Sequence, residues 1–82
     1  MEKNINLPKV LTSRELLTIY LVAKGYADNE IAVMMKISVH TVRAFMHSVL
    51  KKLDAKNRPN AVYKAMIAGM ITDKALIAKY YE

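Results

Sequence analysis

The sequence predicts a small all-α domain, and three observations lead to that fold class. Apolar residues recur at helical spacing along most of the 82 residues, and no strand-like alternation of useful length is found. Hydrophobic residues make up 54% of the chain, with only two glycines and two prolines, which argues against disorder. Helix-starting residues, namely Thr12, Ser38 and Asn57, precede the apolar runs. We therefore expect four helices over residues 11–71 and a short fifth helix within the C-terminal extension, residues 72–82.

The first helix follows an arm formed by residues 1–10. Thr12 and Glu15 make a capping-box pattern ahead of a helix that reaches about Lys24, and Gly25 suits the left-handed residue that ends it. The apolar face of this helix is expected to consist of Leu16, Ile19, Tyr20 and Ala23. A second, short helix is predicted over residues 28–36. Its inward side chains are expected to be Ile31, Ala32 and Met35.

A third helix, predicted over residues 39–55, separates into two faces. Ser38 is its expected N-cap, and the short step from the second helix forces a steep crossing, as in a helix-turn-helix. The apolar face is predicted to be buried and consists of Val42, Met46, Val49 and Leu53. The opposite face is mostly cationic or small and consists of His40, Arg43, Ala44, His47, Lys51 and Asp54. Such a helix suits the DNA major groove, but considered alone it is also explained by a solvated polar face.

A fourth helix is predicted after Asn57, with Pro59 in its first turn and Gly69 at its end. Its inward side chains are expected to be Ala61, Val62, Ala65 and Met66. Apolar and aromatic residues of the extension are expected to cover this helix or to enlarge a dimer contact. They are Leu76, Ile77, Tyr80 and Tyr81.

The positive charge is concentrated in one part of the chain. The formal net charge is +6, and residues 36–58 contain six basic side chains but a single acidic one, Asp54. Such a segment indicates a nucleic acid or another acidic surface as partner.

No apolar run reaches the roughly 20 residues that cross a bilayer, and the amino terminus lacks the apolar centre of a signal peptide. We expect a cytoplasmic protein without a membrane partner.

The sequence contains no pattern typical of an enzyme. We find no nucleophile–base pair, carboxylate pair or phosphate-binding loop, and the chain has no cysteine for a disulfide or a thiolate metal site. His40 and His47 are seven residues apart, about 10 Å along a helix, so one metal ion cannot bind both. We expect no catalytic activity, metal, cofactor or small-molecule ligand.

Four fragments occur in an order and spacing that resemble a known family. They are LTSRE, AKGYADNEIA, ISVHTVR and KLDAKNR, and residues 11–71 follow a single register without a gap. Together they resemble the LuxR/FixJ/GerE-type DNA-binding domain. The resemblance implies a four-helix helix-turn-helix domain whose third helix enters the major groove and whose fourth helix mediates dimerisation.

The resemblance also implies roles for particular residues. The base-contacting residues would be Arg43, Ala44 and His47, and the phosphate-contacting residues would be Asn29, His40, Thr41, Lys51 and Lys52. The dimer surface would consist of Tyr63, Lys64 and Ile67. Simpler interpretations stay open, since Thr41 can hydrogen-bond locally and the lysines and the dimer residues can be ordinary surface side chains.

The start of the second helix departs from the family pattern. Ala27 stands where Ser or Thr is usual, Asp28 where Asn is usual, and Asn29 where Lys is usual. A carboxylate here is expected to compete with DNA phosphate for the free amides, and Asp28 is expected to take over the N-cap by a one-residue shift. Phe45 replaces the usual His and is expected to extend the apolar stripe. These changes predict weaker or more salt-sensitive DNA binding.

Three functions compete. The first is a sequence-specific transcriptional regulator that binds duplex DNA as a homodimer through its third helix. The second is a protein-interaction module, an anti-activator or co-regulator that dimerises with a larger regulator of the same family and binds DNA weakly. A domain like region four of a sigma factor fits the KLDAKNR segment less well. With ten residues ahead of the domain, we expect no receiver or ligand-sensing domain, so abundance, dimerisation or a partner would provide control.

Overall fold

The computed structural model describes residues 11–71, and in that part of the chain it contains four helices and no strand. The helices are α1 (Ser13–Ala23), α2 (Asp28–Met35), α3 (Val39–Leu53) and α4 (Arg58–Ile67). The predicted all-α fold is thus confirmed for its four helices. The arm and the predicted fifth helix lie outside the described residues.

Each predicted N-cap other than that of α2 makes the hydrogen bond that its sequence pattern requires. In α1 the Thr12 hydroxyl accepts from the Glu15 amide at 3.1 Å, and the Glu15 carboxylate accepts from the Thr12 amide at 2.8 Å. The Ser38 hydroxyl caps α3 by accepting from the Thr41 amide at 3.0 Å, and the Asn57 side chain caps α4 by accepting from the Asn60 amide at 2.9 Å. These bonds satisfy backbone donors that have no partner within the helix.

All four helices end in the same way. Each is followed closely by a residue with positive φ, which is Gly25 (99°), Lys36 (59°), Asp54 (53°) or Gly69 (71°). The next amide then donates to the carbonyl five residues earlier, at 2.9–3.2 Å. The two glycines were expected in this role. Because Lys36 and Asp54 adopt the left-handed conformation without being glycine, α2 and α3 end one and two residues before their predicted limits.

The core is centred on α3, which packs against the other three helices. The predicted stripe of Val42, Met46, Val49 and Leu53 is buried, each residue being at most 6% exposed. From the other helices Ile19, Leu21, Ile31, Ala61 and Ala65 complete the centre of the core.

The burial predicted for two residues, Ala23 and Met66, is wrong. Ala23 is exposed in the last turn of α1, and Leu21 is buried in that helix instead. Met66 is 59% exposed, because Ala61 and Ala65 define the buried side of α4 and Met66 lies one position further round the helix.

A polar cluster fixes α1 against α3. The buried Glu15 carboxylate accepts hydrogen bonds from the Ser48 hydroxyl at 2.6 Å and the Lys52 ammonium at 2.9 Å. Burial alone would raise the pKa of Glu15, but the bonds from Lys52, Ser48 and the Thr12 amide outweigh it and lower the pKa from 4.5 to about 2. The charged pair therefore sets how α3 lies on α1.

No helix within residues 11–71 is long and apolar enough to cross a membrane.

Candidate nucleic-acid interface

The face of α3 that lies opposite the core is open to solvent along its length. All six side chains that the sequence assigned to this face are exposed: His40, Arg43, Ala44, His47, Lys51 and Asp54. The structure therefore brings the three predicted base-contacting residues together on one exposed surface. The Arg43 side chain is 68% exposed, and the small side chain of the neighbouring Ala44 leaves room for close approach.

The turn between α2 and α3 holds this face outward. It consists of residues 36–38, so the two helices cross within a single short turn. The half-buried side chains of Met35, Ile37 and Val39 pack on the core from both ends of the turn. In addition, the Ile37 amide donates to the Ala32 carbonyl at 3.0 Å, which closes the end of α2. Because the turn is anchored in this way, the exposed face of α3 is held in a fixed orientation relative to α2.

The start of α2 differs from both expectations drawn from its sequence. Ala27 occupies the N-cap position without a side-chain hydrogen bond, so the predicted shift of the cap to Asp28 is wrong. Instead Glu30 accepts from the Ala27 amide at 2.7 Å. The carboxylate of Asp28 turns away from the free amides and towards two arginines, so the predicted competition with phosphate for these amides is also wrong.

Asp28 joins three helices through its carboxylate. Oδ1 accepts from Arg58 Nη1 at 2.7 Å, and Oδ2 accepts from Arg58 Nη2 at 3.1 Å and from Arg43 Nε at 3.4 Å. The hydrogen bonds from Arg58 lower the pKa of Asp28, burial opposes them, and the charge of Arg58 and the bond from Arg43 add to the lowering. The carboxylate is therefore ionised at neutral pH, with two cationic partners.

The predicted phosphate-contacting residues differ in how accessible they are. Asn29, His40 and Lys51 are exposed. The Thr41 hydroxyl lies 3.0 Å from the Ser38 hydroxyl, as its local interpretation predicts. Lys52 is paired with the buried Glu15, so it would have to break this ion pair to reach a phosphate.

The outward side of α4 is largely apolar. Tyr63, Met66 and Ile67 are 60%, 59% and 67% exposed. Lys64 is half-buried, and its ammonium donates to the Asp54 carbonyl at 2.7 Å, so it stabilises the end of α3. Of the three predicted dimer residues, Tyr63 and Ile67 share this apolar surface, whereas Lys64 is engaged within its own chain.

Two residues that join helices through polar contacts, Arg58 and Ser48, were not singled out by the sequence. Arg58 was noted only as part of the basic segment and of the KLDAKNR fragment, and Ser48 was not noted at all. A signal for Ser48 existed, because it lies one helical turn before Lys52 on α3. Phe45 is half-buried and does not join the core cluster, so its expected extension of the apolar stripe is wrong.

A helix-turn-helix whose second helix has a buried apolar face and an exposed, mostly cationic face, supported by two further helices, defines a DNA-binding domain. The family described as bacterial regulatory proteins, luxR family (GerE) matches residues 9–65. The chain therefore belongs to the LuxR family of DNA-binding transcription regulators, as its sequence resemblance predicted. Among residues 11–71 we find no group of three His, Cys, Asp or Glu side chains that could hold a metal ion.

The chain is similar to curated proteins that are named as response regulators. It is 37% identical over 71 residues to the response regulator protein VraR of Staphylococcus aureus (strain Mu3 / ATCC 700698). The same identity is found with VraR of Staphylococcus epidermidis (strain ATCC 35984). The similarity covers 87% of this chain but 34% of each relative, so the chain spans about a third of the length of these proteins.

Proposed function

We propose that this protein regulates transcription by binding specific duplex sequences as a homodimer, with α3 in the major groove. The observation that carries this proposal is the common exposed face of Arg43, Ala44 and His47 on a helix whose opposite face is buried. A helix fixed in this manner can approach base edges without rearrangement of the core.

The three side chains differ in what they can recognise. Arg43 can donate two hydrogen bonds to the O6 and N7 atoms of guanine, while Ala44 can contact a thymine methyl group. His47 can donate or accept according to its protonation state. Each well-formed bidentate contact discriminates against a wrong base by about 1–3 kcal/mol. Because only three side chains are proposed to read bases, a single helix recognises a short sequence.

Contacts with the DNA backbone would position α3 in the groove. Lys51 and His40 flank the proposed base-reading residues on the exposed face, and Asn29 is exposed at the start of α2. The free amides of the first turn of α2 are a further phosphate site, since the Asp28 carboxylate does not occupy them. Phosphate contacts of this kind make affinity depend steeply on salt but carry no sequence information.

Specificity of useful strength needs two half-sites, and the apolar surface of α4 supplies a means of pairing. Tyr63, Met66 and Ile67 form the dimer surface that we propose, with Met66 in place of Lys64. Two recognition helices related by a twofold axis would read half-sites about 34–36 Å apart, or a multiple of this spacing. A palindromic operator is therefore expected.

The pairing of Asp28 favours a regulator over a protein-interaction module. The altered start of α2 was the main argument for weak DNA binding, since an unpaired carboxylate would repel phosphate. Two hydrogen bonds from Arg58 and one from Arg43 offset this charge. A duplex-binding regulator would act on chromosomal DNA, so the proposal includes a cytoplasmic location.

Selection from a pool of random duplexes at several salt concentrations tests this function. We expect enrichment of a palindromic motif and an affinity that falls linearly with the logarithm of the salt concentration. If no sequence is enriched even at low salt, the protein-interaction module replaces the regulator. A larger regulator of the same family would then be the partner to test.

A further inference from the structure

We propose that Asp28 is a positioning residue that holds the Arg43 guanidinium ready for one base and so increases sequence discrimination. The inference rests on the proposed function, because it assigns a role within the same DNA-reading surface. Asp28 stands where the family usually has Asn, and the sequence alone suggests that its charge only weakens DNA binding. In this proposal the position of its carboxylate also increases sequence discrimination.

The Asp28 carboxylate is well suited to position another group because it is itself fixed. Arg58 donates to both of its oxygens, at 2.7 and 3.1 Å, and the Asp28 side chain is only 18% exposed. The two residues are the first of α2 and the first of α4, and the backbones of these helices do not pack on each other. The ion pair thus connects two otherwise separate helices and fixes the direction of the carboxylate.

Arg43 needs such support more than its neighbours do. Its side chain is 68% exposed, so most of its length has no packing contact to restrict its rotamers. A long, exposed arginine loses considerable conformational entropy when it becomes ordered on a base. The bond from Nε to Asp28 Oδ2, at 3.4 Å, restricts this freedom before DNA arrives.

The hydrogen bond from Arg43 to Asp28 uses Nε, and this choice of atom matters for base recognition. The carboxylate contacts Nε and leaves both terminal nitrogens of Arg43 available. Recognition of guanine O6 and N7 requires two donors of the guanidinium fork. Asp28 can therefore remain bonded while Arg43 reads a base, which a carboxylate on the terminal nitrogens would prevent.

Asp28 should have two opposite effects on DNA binding. Its negative charge partly neutralises Arg58 and Arg43, so it lowers affinity for every sequence by weakening the attraction of these cations for phosphate. Its bond to Arg43 favours the sequence that carries the matching base. Removal of the carboxylate should hence increase general affinity and decrease discrimination at one base pair.

The variant Asp28→Asn separates these effects, because asparagine has the same shape without the charge. In this variant an amide NH2 group replaces the oxygen that faces Nε of Arg43, or the one that holds Arg58. Glu30→Gln is the matched control. It removes one negative charge from the same helical turn, while glutamine can still accept from the Ala27 amide.

The measurement is the dissociation constant for three duplexes at one salt concentration: the selected site, the site changed at the base pair read by Arg43, and an unrelated sequence. For Asp28→Asn we expect unrelated DNA to bind roughly two- to fivefold more tightly. Discrimination at the Arg43 base pair should fall about three- to tenfold, with the other positions unchanged. Glu30→Gln should leave this discrimination as in the wild type.

Further variants keep the test decisive. Asp28→Glu retains the charge but moves the carboxylate, so it should lose discrimination without a gain in general affinity. In an Arg43→Ala background, Asp28→Asn should no longer change discrimination. Circular dichroism establishes that each variant is folded. Unchanged discrimination in folded Asp28→Asn would overturn the positioning role while the proposed function stands, whereas a wild type that selects no sequence would overturn both.

Discussion

Glu15 uses one carboxylate for two structural tasks. It accepts from the Thr12 amide at the start of α1, and it accepts from Ser48 and Lys52 on α3. The capping part was predictable because it lies within one turn of sequence. The contacts with α3 join residues 33 and 37 positions apart, which no local pattern reveals. The same contacts explain why Lys52 is turned away from the surface proposed to bind DNA.

The lowered pKa of Glu15 predicts acid sensitivity. A group whose pKa is lower in the folded state stabilises the fold fully above its unfolded pKa and loses this contribution as the pH falls through the folded pKa. For Glu15 this range runs from 4.5 down to about 2. We expect the free energy of unfolding to decrease by on the order of 3 kcal/mol over this range, measured by urea unfolding at a series of pH values.

Glu15→Gln is the control for this acid sensitivity. Glutamine can keep the capping bond but cannot ionise, so the variant should lose most of the pH dependence below 4.5. A smaller slope from Asp28 should remain, because the pKa of that residue is also lowered. At neutral pH the variant should be about 1–3 kcal/mol less stable. An unaltered slope would mean that Glu15 is not the group responsible.

At the scale of the element, α2 is the shortest helix of residues 11–71 and the one whose N-cap makes no side-chain hydrogen bond. It has eight residues and an N-cap, Ala27, that offers no side-chain acceptor. The other helices begin with Thr12, Ser38 or Asn57, each with a capping bond. Because α2 orients α3 through the short turn, the missing cap affects the part of the fold that positions the recognition surface.

Ala27→Ser should strengthen this helix. Ala27 has the extended conformation of an N-cap residue (φ −77°, ψ 160°), so a serine hydroxyl can accept from the Glu30 amide without rearrangement. We expect a gain of about 1 kcal/mol in the free energy of unfolding, measured by chemical denaturation. Ala23→Ser, at an exposed position inside α1, should instead be neutral or slightly destabilising. Equal effects of the two changes would contradict the capping argument.

The limits of the helices show which elements could be predicted from sequence. The N-caps of α1, α3 and α4 and the glycine ends of α1 and α4 depend on residues within four positions, and these were predicted correctly. The left-handed turns at Lys36 and Asp54 were not, since neither residue type marks such a turn. The exposure of Met66 was missed for a related reason. A run of apolar residues does not reveal which side of a short helix its neighbours cover.

At the scale of the whole molecule, the proposed function requires two surfaces on different helices. The exposed face of α3 is proposed to read DNA, and the apolar side of α4 is proposed to pair two copies. The sequence predicted both surfaces, but it did not show that Lys64 bonds to the Asp54 carbonyl or that Arg58 bonds to Asp28. Such contacts follow from the packing of helices, which sequence periodicity does not determine.

Charged substitutions on α4 test the proposed pairing. Tyr63→Glu and Ile67→Glu should each raise the dimer dissociation constant at least about tenfold, because a buried carboxylate would replace an apolar contact. Sedimentation equilibrium measures this constant directly. Val33→Glu is the control, since Val33 is a 77% exposed apolar residue on α2. Dimerisation that survives both α4 variants, or that Val33→Glu disrupts, would place the interface elsewhere.

Removal of the N7 acceptor of guanine tests whether Arg43 reads guanine in the major groove. Each guanine of the selected site is replaced in turn by 7-deazaguanine, which lacks the N7 acceptor but keeps Watson–Crick pairing. We predict that one replacement per half-site weakens binding of the wild type, that Arg43→Ala is insensitive to it, and that Lys51→Ala binds less tightly yet remains sensitive. A wild type indifferent to every replacement, or an Arg43→Ala variant as sensitive as the wild type, would contradict the assignment of α3 as the reading helix.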